Sequence, residues 1–216
     1  TVEVGLAAAL TGHLVLSTLH TNDAPGAVAR LGEMGAARYL VAGGLIGVLA
    51  QRLVRRLCPD CRTVAPVSSD ELYRLGLPTP PHLPAAVGCP GCGDTGYSGR
   101  AGVFELLRVD SAIRELILDG APADTIREAA STAGMTSLPA DAWARVDEGV
   151  TTLDEVRPLL SLLADDGRSC RSCGTHVSRG QGFCPRCGGV LERRCGCGAA
   201  VRPHWRFCGG CGERLG

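Results

Sequence analysis

Residues 13–23 read His13-Leu-Val-Leu-Ser-Thr-Leu-His20-Thr-Asn-Asp23, and this stretch decides the fold. Its first seven residues are mostly apolar or β-branched and carry no helical period. Such a run fits a strand covered on both faces, as in a parallel α/β sheet. It stops at His20-Thr-Asn-Asp23, a polar turn. Asn22 or Asp23 supplies an N-cap, and Pro25 suits the first turn of a helix ending near Gly35. Strand, polar turn and helix form the unit in which open α/β sheets bind ligands, at the carboxyl end of the strand. His20, Thr21 and Asn22 occupy that end. His13 opens the run seven residues earlier. A period of two sends the two histidines to opposite faces of a continuing strand, so local geometry alone does not unite them.

Working outward, residues 3–10 are rich in Ala and Leu and predict a helix closed by Gly12. A second helix is predicted from Arg38 to Leu57. It contains the uncharged run Tyr39–Ala50, whose 12 residues are too few to span a bilayer and read as buried core. Asp94–Arg100 is a glycine-rich turn, followed by a short strand over Gly102–Leu107. Asp110 or Ser111 caps one helix, Ala123–Ala133 forms another, and Ser137–Glu148 a third. Thr152-Leu-Asp-Glu155 is a capping box opening the last helix, to about Leu163. Asp165–Ser169 reads as a linker.

The 12 cysteines come as six close pairs: Cys58/Cys61, Cys89/Cys92, Cys170/Cys173, Cys184/Cys187, Cys195/Cys197 and Cys208/Cys211. Five are C-x-x-C and one is C-x-C. A C-x-x-C turn aims two sulfurs at one tetrahedral centre, and two such turns complete a four-cysteine site. The count predicts three structural Zn²⁺ sites with none left over. Disulfides in an exported protein are the competing reading, and the start of the chain has no basic leader to favour it. Between Cys61 and Cys89 lie 27 residues, a long insertion clipped by metal. The last eight cysteines form an internal repeat, with ten residues between Cys173 and Cys184 and ten between Cys197 and Cys208. That is two zinc ribbons in tandem, each too small to fold without its metal. Phe183 and Phe207 are expected to pack the two small cores. Cys195-Gly-Cys197 is one residue short of the usual knuckle, and His204 is an alternative ligand there, though more readily a solvent-facing residue.

Hydrophobic residues make up 45% of the 216, too many for a disordered chain. The formal net charge is zero, from 22 arginines and 22 acidic residues with no lysine, so no global attraction to nucleic acid or anionic lipid is expected. The zero is a cancellation. Residues 1–160 carry 13 Arg against 18 acidic residues, net −5, and residues 161–216 carry 9 against 4, net +5. An acidic front is joined to a basic, cysteine-rich tail.

Several of these motifs in this order carry a resemblance. Ala9–Asp23, Ala29-Arg-Leu-Gly-Glu-Met-Gly35, Leu49-Ala-Gln-Arg-Leu-Val-Arg-Arg-Leu-Cys-Pro-Asp-Cys61, Cys89-Pro-Gly-Cys-Gly-Asp-Thr-Gly-Tyr-Ser-Gly-Arg100 and Phe104-Glu-Leu-Leu together resemble the type II secretion and type IV pilus assembly ATPases, over roughly residues 1–160. The tetracysteine insertion is nearer the secretion and pilus-extension members than the retraction members. The resemblance implies an α/β fold: the C-terminal part of a RecA-like P-loop ATPase core (1–57), a zinc-binding insertion (58–100) and a helical C-terminal subdomain (101–163). A linker (164–169) then leads to a tail (170–216) that resembles double zinc ribbon modules.

The resemblance further implies a homohexameric ring on the cytoplasmic face of the inner membrane, driving a membrane platform protein with ATP and Mg²⁺. The family's box histidines match His13 and His20, beside the nucleotide, with Thr21 and Asn22 in the same turn. A role in sensing the γ-phosphate suits a polar turn at a strand end. The chain has no G-x-x-x-x-G-K-[ST] loop, since it has no lysine. By the family's order Thr1 falls just after Walker B, so the chain is expected to be inactive alone. Gln51 and Arg52 suit helix packing or an acidic partner as well as any catalytic duty. Arg100 suits a surface ion pair better than a neighbouring subunit's nucleotide. The ribbons imply docking to a partner that the sequence does not identify, with Trp205 and Phe207 as anchors or core. The competing function is a zinc-ribbon adaptor for protein or nucleic acid without ATPase activity. Against direct nucleic-acid binding, the tail offers few aromatics for base stacking.

Overall fold

The computed structural model describes residues 2–68, 72, 77, 80 and 82–165. In the tail it describes 168–169, 173, 176–177, 183–184, 186–189, 193–197, 200–201, 207 and 211–214. Two compact units emerge, one of residues 1–63 with 84–156 and one of residues 64–83 with 157–216.

The first unit is built on a long antiparallel pair. Strand β1 (Gly47–Leu57) runs against β4 (Tyr97–Arg108), from Gly47↔Arg108 to Arg55↔Arg100, with a bulge before Leu57↔Tyr97. Helices α1 (Val2–Leu10), α2 (Ala24–Glu33) and α3 (Arg38–Gly44) precede it. Helices α4 (Ser111–Asp119), α5 (Ala123–Thr132) and α6 (Leu138–Asp147) follow it. The core holds Leu6, Val28, Leu31, Val41, Leu107, Ile113, Ile117 and Ile126, drawn from α1–α5 and the inward face of β4. Two shorter strands, β2 (Thr63–Pro66) and β3 (His82–Ala85), pair within the insertion.

Several predicted elements are present. Asp23 is the N-cap of α2, its carboxylate accepting from the Gly26 N–H at 2.8 Å. Asp110 caps α4, accepting from Ile113 N at 2.9 Å, and Ser137 caps α6. Gly12 ends α1 with φ +94°, a left-handed conformation that suits glycine.

Three predictions are corrected. The single helix expected over Arg38–Leu57 is α3 followed by strand β1. Helix stops at Gly43-Gly44, two poor helix formers. From Gly47 the side chains alternate: Leu49, Gln51, Leu53 and Arg55 are exposed, while Val48, Ala50, Arg52 and Val54 turn inward. Ala, Leu and Arg favour helix locally, and the long ladder with β4 overrides that preference. The run Tyr39–Ala50 is therefore not one buried helix, and Tyr39, Ile46 and Leu49 are exposed. No helix among the described residues is long and apolar enough to cross a membrane.

The second correction is the strand expected over His13–Leu19. These residues form no strand, and Leu14 and Leu16 are 77% and 87% exposed. Among the described residues no strand runs beside them, so their backbone groups have no ladder. The predicted turn Asp94–Arg100 is also shorter than expected, since β4 already begins at Tyr97.

The last helix, α7 (Leu153–Asp165), opens with half of the expected capping box. Thr152 Oγ1 accepts from Glu155 N at 3.4 Å. The Glu155 carboxylate turns instead to β1, where it accepts from Arg55 N at 3.0 Å and pairs with the Arg55 guanidinium at 2.7 Å. Arg55 also stacks over the Tyr97 ring at 4.0 Å, and the Tyr97 hydroxyl meets Thr152 Oγ1 at 2.8 Å. In the second unit, β5 (Arg168–Ser169) pairs with β6 (His176–Val177), and β7 (Arg193–Arg194) with β8 (Ala200–Val201).

Two outcomes follow. Leu107→Ala, at a fully buried position of β4, is expected to cost about 2–5 kcal/mol in urea unfolding through the cavity it leaves. The Arg55 hydrogen bond holds the Glu155 carboxyl below its usual range, with desolvation opposing. A carboxyl depressed in the folded state stabilises above its unfolded pKa of about 4.3 and loses that contribution as pH falls further. Wild type and Glu155→Gln are therefore expected to differ in melting temperature at pH 7 and to converge below about pH 4.

Candidate functional site

The polar turn at residues 20–23 is held from behind by three side chains. Arg52, on the inward face of β1, donates to the carbonyl oxygens of Thr21 and Asn22, both at 3.2 Å. Asp23, besides capping α2, pairs with Arg127 of α5 at 2.6 Å. Glu105, on the inward face of β4, accepts from the Ala24 N–H at 2.8 Å, one residue beyond the turn. Thr21 Oγ1 closes the turn by donating to Asp23 O at 3.0 Å. His20 and Asn22 are exposed and Thr21 half-buried. The backbone is fixed while two polar side chains are presented outward, the arrangement a rigid ligand-facing turn needs. His13 is exposed just past α1, its Nδ1 3.3 Å from Thr11 Oγ1 and from Ala8 O.

Arg52 belonged to a motif that the sequence marked, but its expected role in a helix is replaced by its place on β1. Glu105 and Arg127 escaped the sequence reading. A signal for Glu105 exists: in the alternation Val103, Glu105, Leu107 it is the acidic residue on an otherwise apolar inward face. Arg127 gives no such signal, because its partner Asp23 is 104 residues away.

The predicted four-cysteine site of the insertion is assembled. Cys58 follows the end of β1, with its N–H donating to Gly96 O at 2.9 Å. The Sγ atoms of Cys58, Cys61, Cys89 and Cys92 lie within 4.8 Å of one another. Closest separations are 4.0 Å for Cys58–Cys89, 3.8 Å for Cys61–Cys92 and 3.8 Å for Cys89–Cys92. Zn–S bonds of about 2.3 Å in a tetrahedron place sulfurs about 3.8 Å apart. A disulfide needs about 2.05 Å. The donor set and its spacing fit a tetrahedral zinc ion.

The backbone supports the sulfurs as well. Cys89 N and Gly96 N each lie 3.2 Å from Cys92 Sγ. Burial raises both Cys61 and Cys92. At Cys61 it prevails and the thiol is pushed up to about 12. At Cys92 the N–H groups of Cys89 and Gly96, with the Cys89 and Cys61 thiols, outweigh it and hold the thiol at about 6. A thiolate is thus favoured at Cys92, one of the four sulfurs that would face a cation. Gly96 is required here: its φ is +76°, and a Cβ would come 2.6 Å from that of Ala86.

In the tail, the Sγ atoms of Cys173, Cys184 and Cys187 converge within 4.8 Å, as do those of Cys195, Cys197 and Cys211. Cys173–Cys184 is 3.6 Å and Cys195–Cys211 3.5 Å. Their predicted fourth members, Cys170 and Cys208, lie outside the described residues, as do His204 and Trp205. The matching hairpins show where the repeat lost its residue: Arg168↔Val177 corresponds to Arg193↔Val201, so the shorter knuckle shortens the hairpin connection while three cysteines still meet. Phe183 and Phe207 do not pack cores as expected. They are 65% and 59% exposed, and Phe207 instead forms a backbone bridge with Arg214.

Elemental analysis is expected to give about three zinc ions per chain, one per cysteine group. Cys92→Ser should lower this by one, and removal of that ion by a chelator should loosen the junction at Leu57–Cys58, seen as faster amide exchange there.

Residues 1–158 match the family described as "Type II/IV secretion system protein", and residues 169–212 match "Double zinc ribbon". The chain is 48% identical over 156 residues to the "Type II secretion system protein HxcR" of Pseudomonas aeruginosa, covering 72% of this chain and 30% of that protein. It is 46% identical over 160 residues to the "Type IV pilus assembly ATPase PilB" of Thermus thermophilus, covering 72% and 18%. It is 45% identical over 158 residues to the "Type II secretion system ATPase E" of Vibrio cholerae, covering 72% and 31%. The chain thus spans less than a third of the length of these relatives. A crystal structure of the pilus retraction motor PilT with bound ADP aligns with a TM-score of 0.48 and 23% identity, over 73% of this chain and 35% of that one. Through residues 1–158 the chain belongs to the type II/IV secretion system protein family, with a double zinc ribbon attached.

Proposed function

We propose that this chain is the C-terminal part of a homohexameric ATPase that powers type II secretion or type IV pilus assembly. The observation that carries this is the turn at residues 20–23, clamped by Arg52, Asp23–Arg127 and Glu105 while His20 and Asn22 stay exposed. In this reading His13, His20, Thr21 and Asn22 lie beside the nucleotide and register the loss of its γ-phosphate. The relatives' names, ATPase among them, support it.

The proposed organisation is a RecA-like core segment (1–57), a zinc insertion (58–100), a helical subdomain (101–163), a linker (164–169) and a tandem ribbon (170–216). ATP and Mg²⁺ belong to the complete protein, whose phosphate-binding loop and catalytic acid come from sequence outside this chain. Zinc at the twelve cysteines is structural, and the ribbons dock a partner. The ring works on the cytoplasmic face of the inner membrane against a platform protein. The exposed Leu14 and Leu16 support a longer protein, in which further strands cover residues 13–19.

The test is ATP turnover by the protein translated with its upstream sequence. His20→Ala is expected to lower kcat tenfold or more, a loss of about 1.4 kcal/mol of transition-state stabilisation, with zinc content unchanged. The 216-residue chain alone is expected to show no turnover. An upstream region without a phosphate-binding loop overturns the proposal.

A further inference from the structure

Glu105 is the buried carboxylate of the first unit, 2% exposed, and its two oxygens serve different helices. Oε1 accepts from Ala24 N at 2.8 Å, at the first residue of α2, directly after the polar turn. Oε2 accepts from Leu138 N at 3.0 Å, at the first residue of α6. Both helix N-termini present unpaired N–H groups and the positive end of a dipole, so one anion stabilises both. Ala24 and Leu138 are themselves buried, at 0% and 1%, so water cannot replace the carboxylate. Glu105 sits between Val103 and Leu107, both fully buried, on a strand held by the ladder with β1.

We propose that Glu105 is a positioning residue that couples the polar turn to the C-terminal helices. A shift of the turn drags the start of α2, and the shared carboxylate passes that shift to the start of α6. This rests on the reading that the turn faces the nucleotide. The chemistry requires glutamate. Glutamine keeps the length but has a single acceptor oxygen, and its NH₂ meets a backbone donor at the other helix. Aspartate is one methylene too short to span both. A residue that only filled the core would tolerate glutamine.

The experiment has two arms. In the 216-residue chain, amide exchange is followed at Ala24 and Leu138. In wild type the two amides are expected to open together, with the same denaturant dependence. In Glu105→Gln one of them should exchange at least tenfold faster while the melting transition stays cooperative. If that variant does not fold, Ala24→Pro removes the same bond from the donor side at a helix position that tolerates proline; exchange is then read at Leu138 alone, where it is expected to rise, and an unchanged rate there overturns the proposal. Independent opening of the two amides in wild type, or unchanged exchange in the variant, overturns the proposal without any reference to activity.

In the protein translated with its upstream sequence, Glu105→Gln is expected to lower kcat for ATP tenfold or more and to leave KM within twofold. A loss confined to KM, or no change in either, overturns the coupling. A His20→Ala protein with undiminished turnover would instead overturn the nucleotide reading, leaving the exchange result to stand or fall separately.

Discussion

The antiparallel ladder between β1 and β4 is the constraint on which the rest of the first unit depends. It fixes nine residue pairs in one register, with a tenth, Leu57↔Tyr97, beyond a bulge, and each functional feature of this unit is placed by its position along that ladder. At one end, Leu57↔Tyr97 delivers Cys58 to the metal knuckle, with the Cys58 N–H bonded to Gly96. In the middle, Arg52 and Glu105 share the inward face and reach the polar turn from two directions. A shift of one residue would turn both outward and undo turn and core together.

Polar groups, more than apolar area, determine where the helices begin. Asp23, Asp110 and Ser137 cap α2, α4 and α6 locally, and each is a signal readable from neighbouring residues. Glu105 adds a non-local bond to two of the same helices. Asp23 does double duty, holding α2 with one oxygen and Arg127 with the other. The turn between them is therefore rigid although its side chains are exposed, a combination that surface loops usually lack.

The cysteine clusters follow a different logic. Their ligands are local pairs, so spacing alone reveals them, and the structure brings ten of the twelve into three groups. In the second ribbon the paired residues Arg193↔Val201 are one position closer in sequence than Arg168↔Val177 of the first, the same single residue by which its knuckle is short.

Caps, cysteine pairs and the helices α1, α2 and α4–α6 were legible in the sequence because each rests on contacts within a few residues. The strand character of β1 was not, since Ala, Leu and Arg prefer helix until a partner strand supplies the ladder. Nor was the roll of residues 13–19, whose apolar composition promised a buried strand that no described element covers. The sequence by itself determined the grouping of the described cysteines and the family of the first 158 residues. Only the tertiary structure decided that Arg52, Arg127 and Glu105 converge on one turn, because hydrogen bonds spanning 31, 104 and 81 positions leave no local pattern.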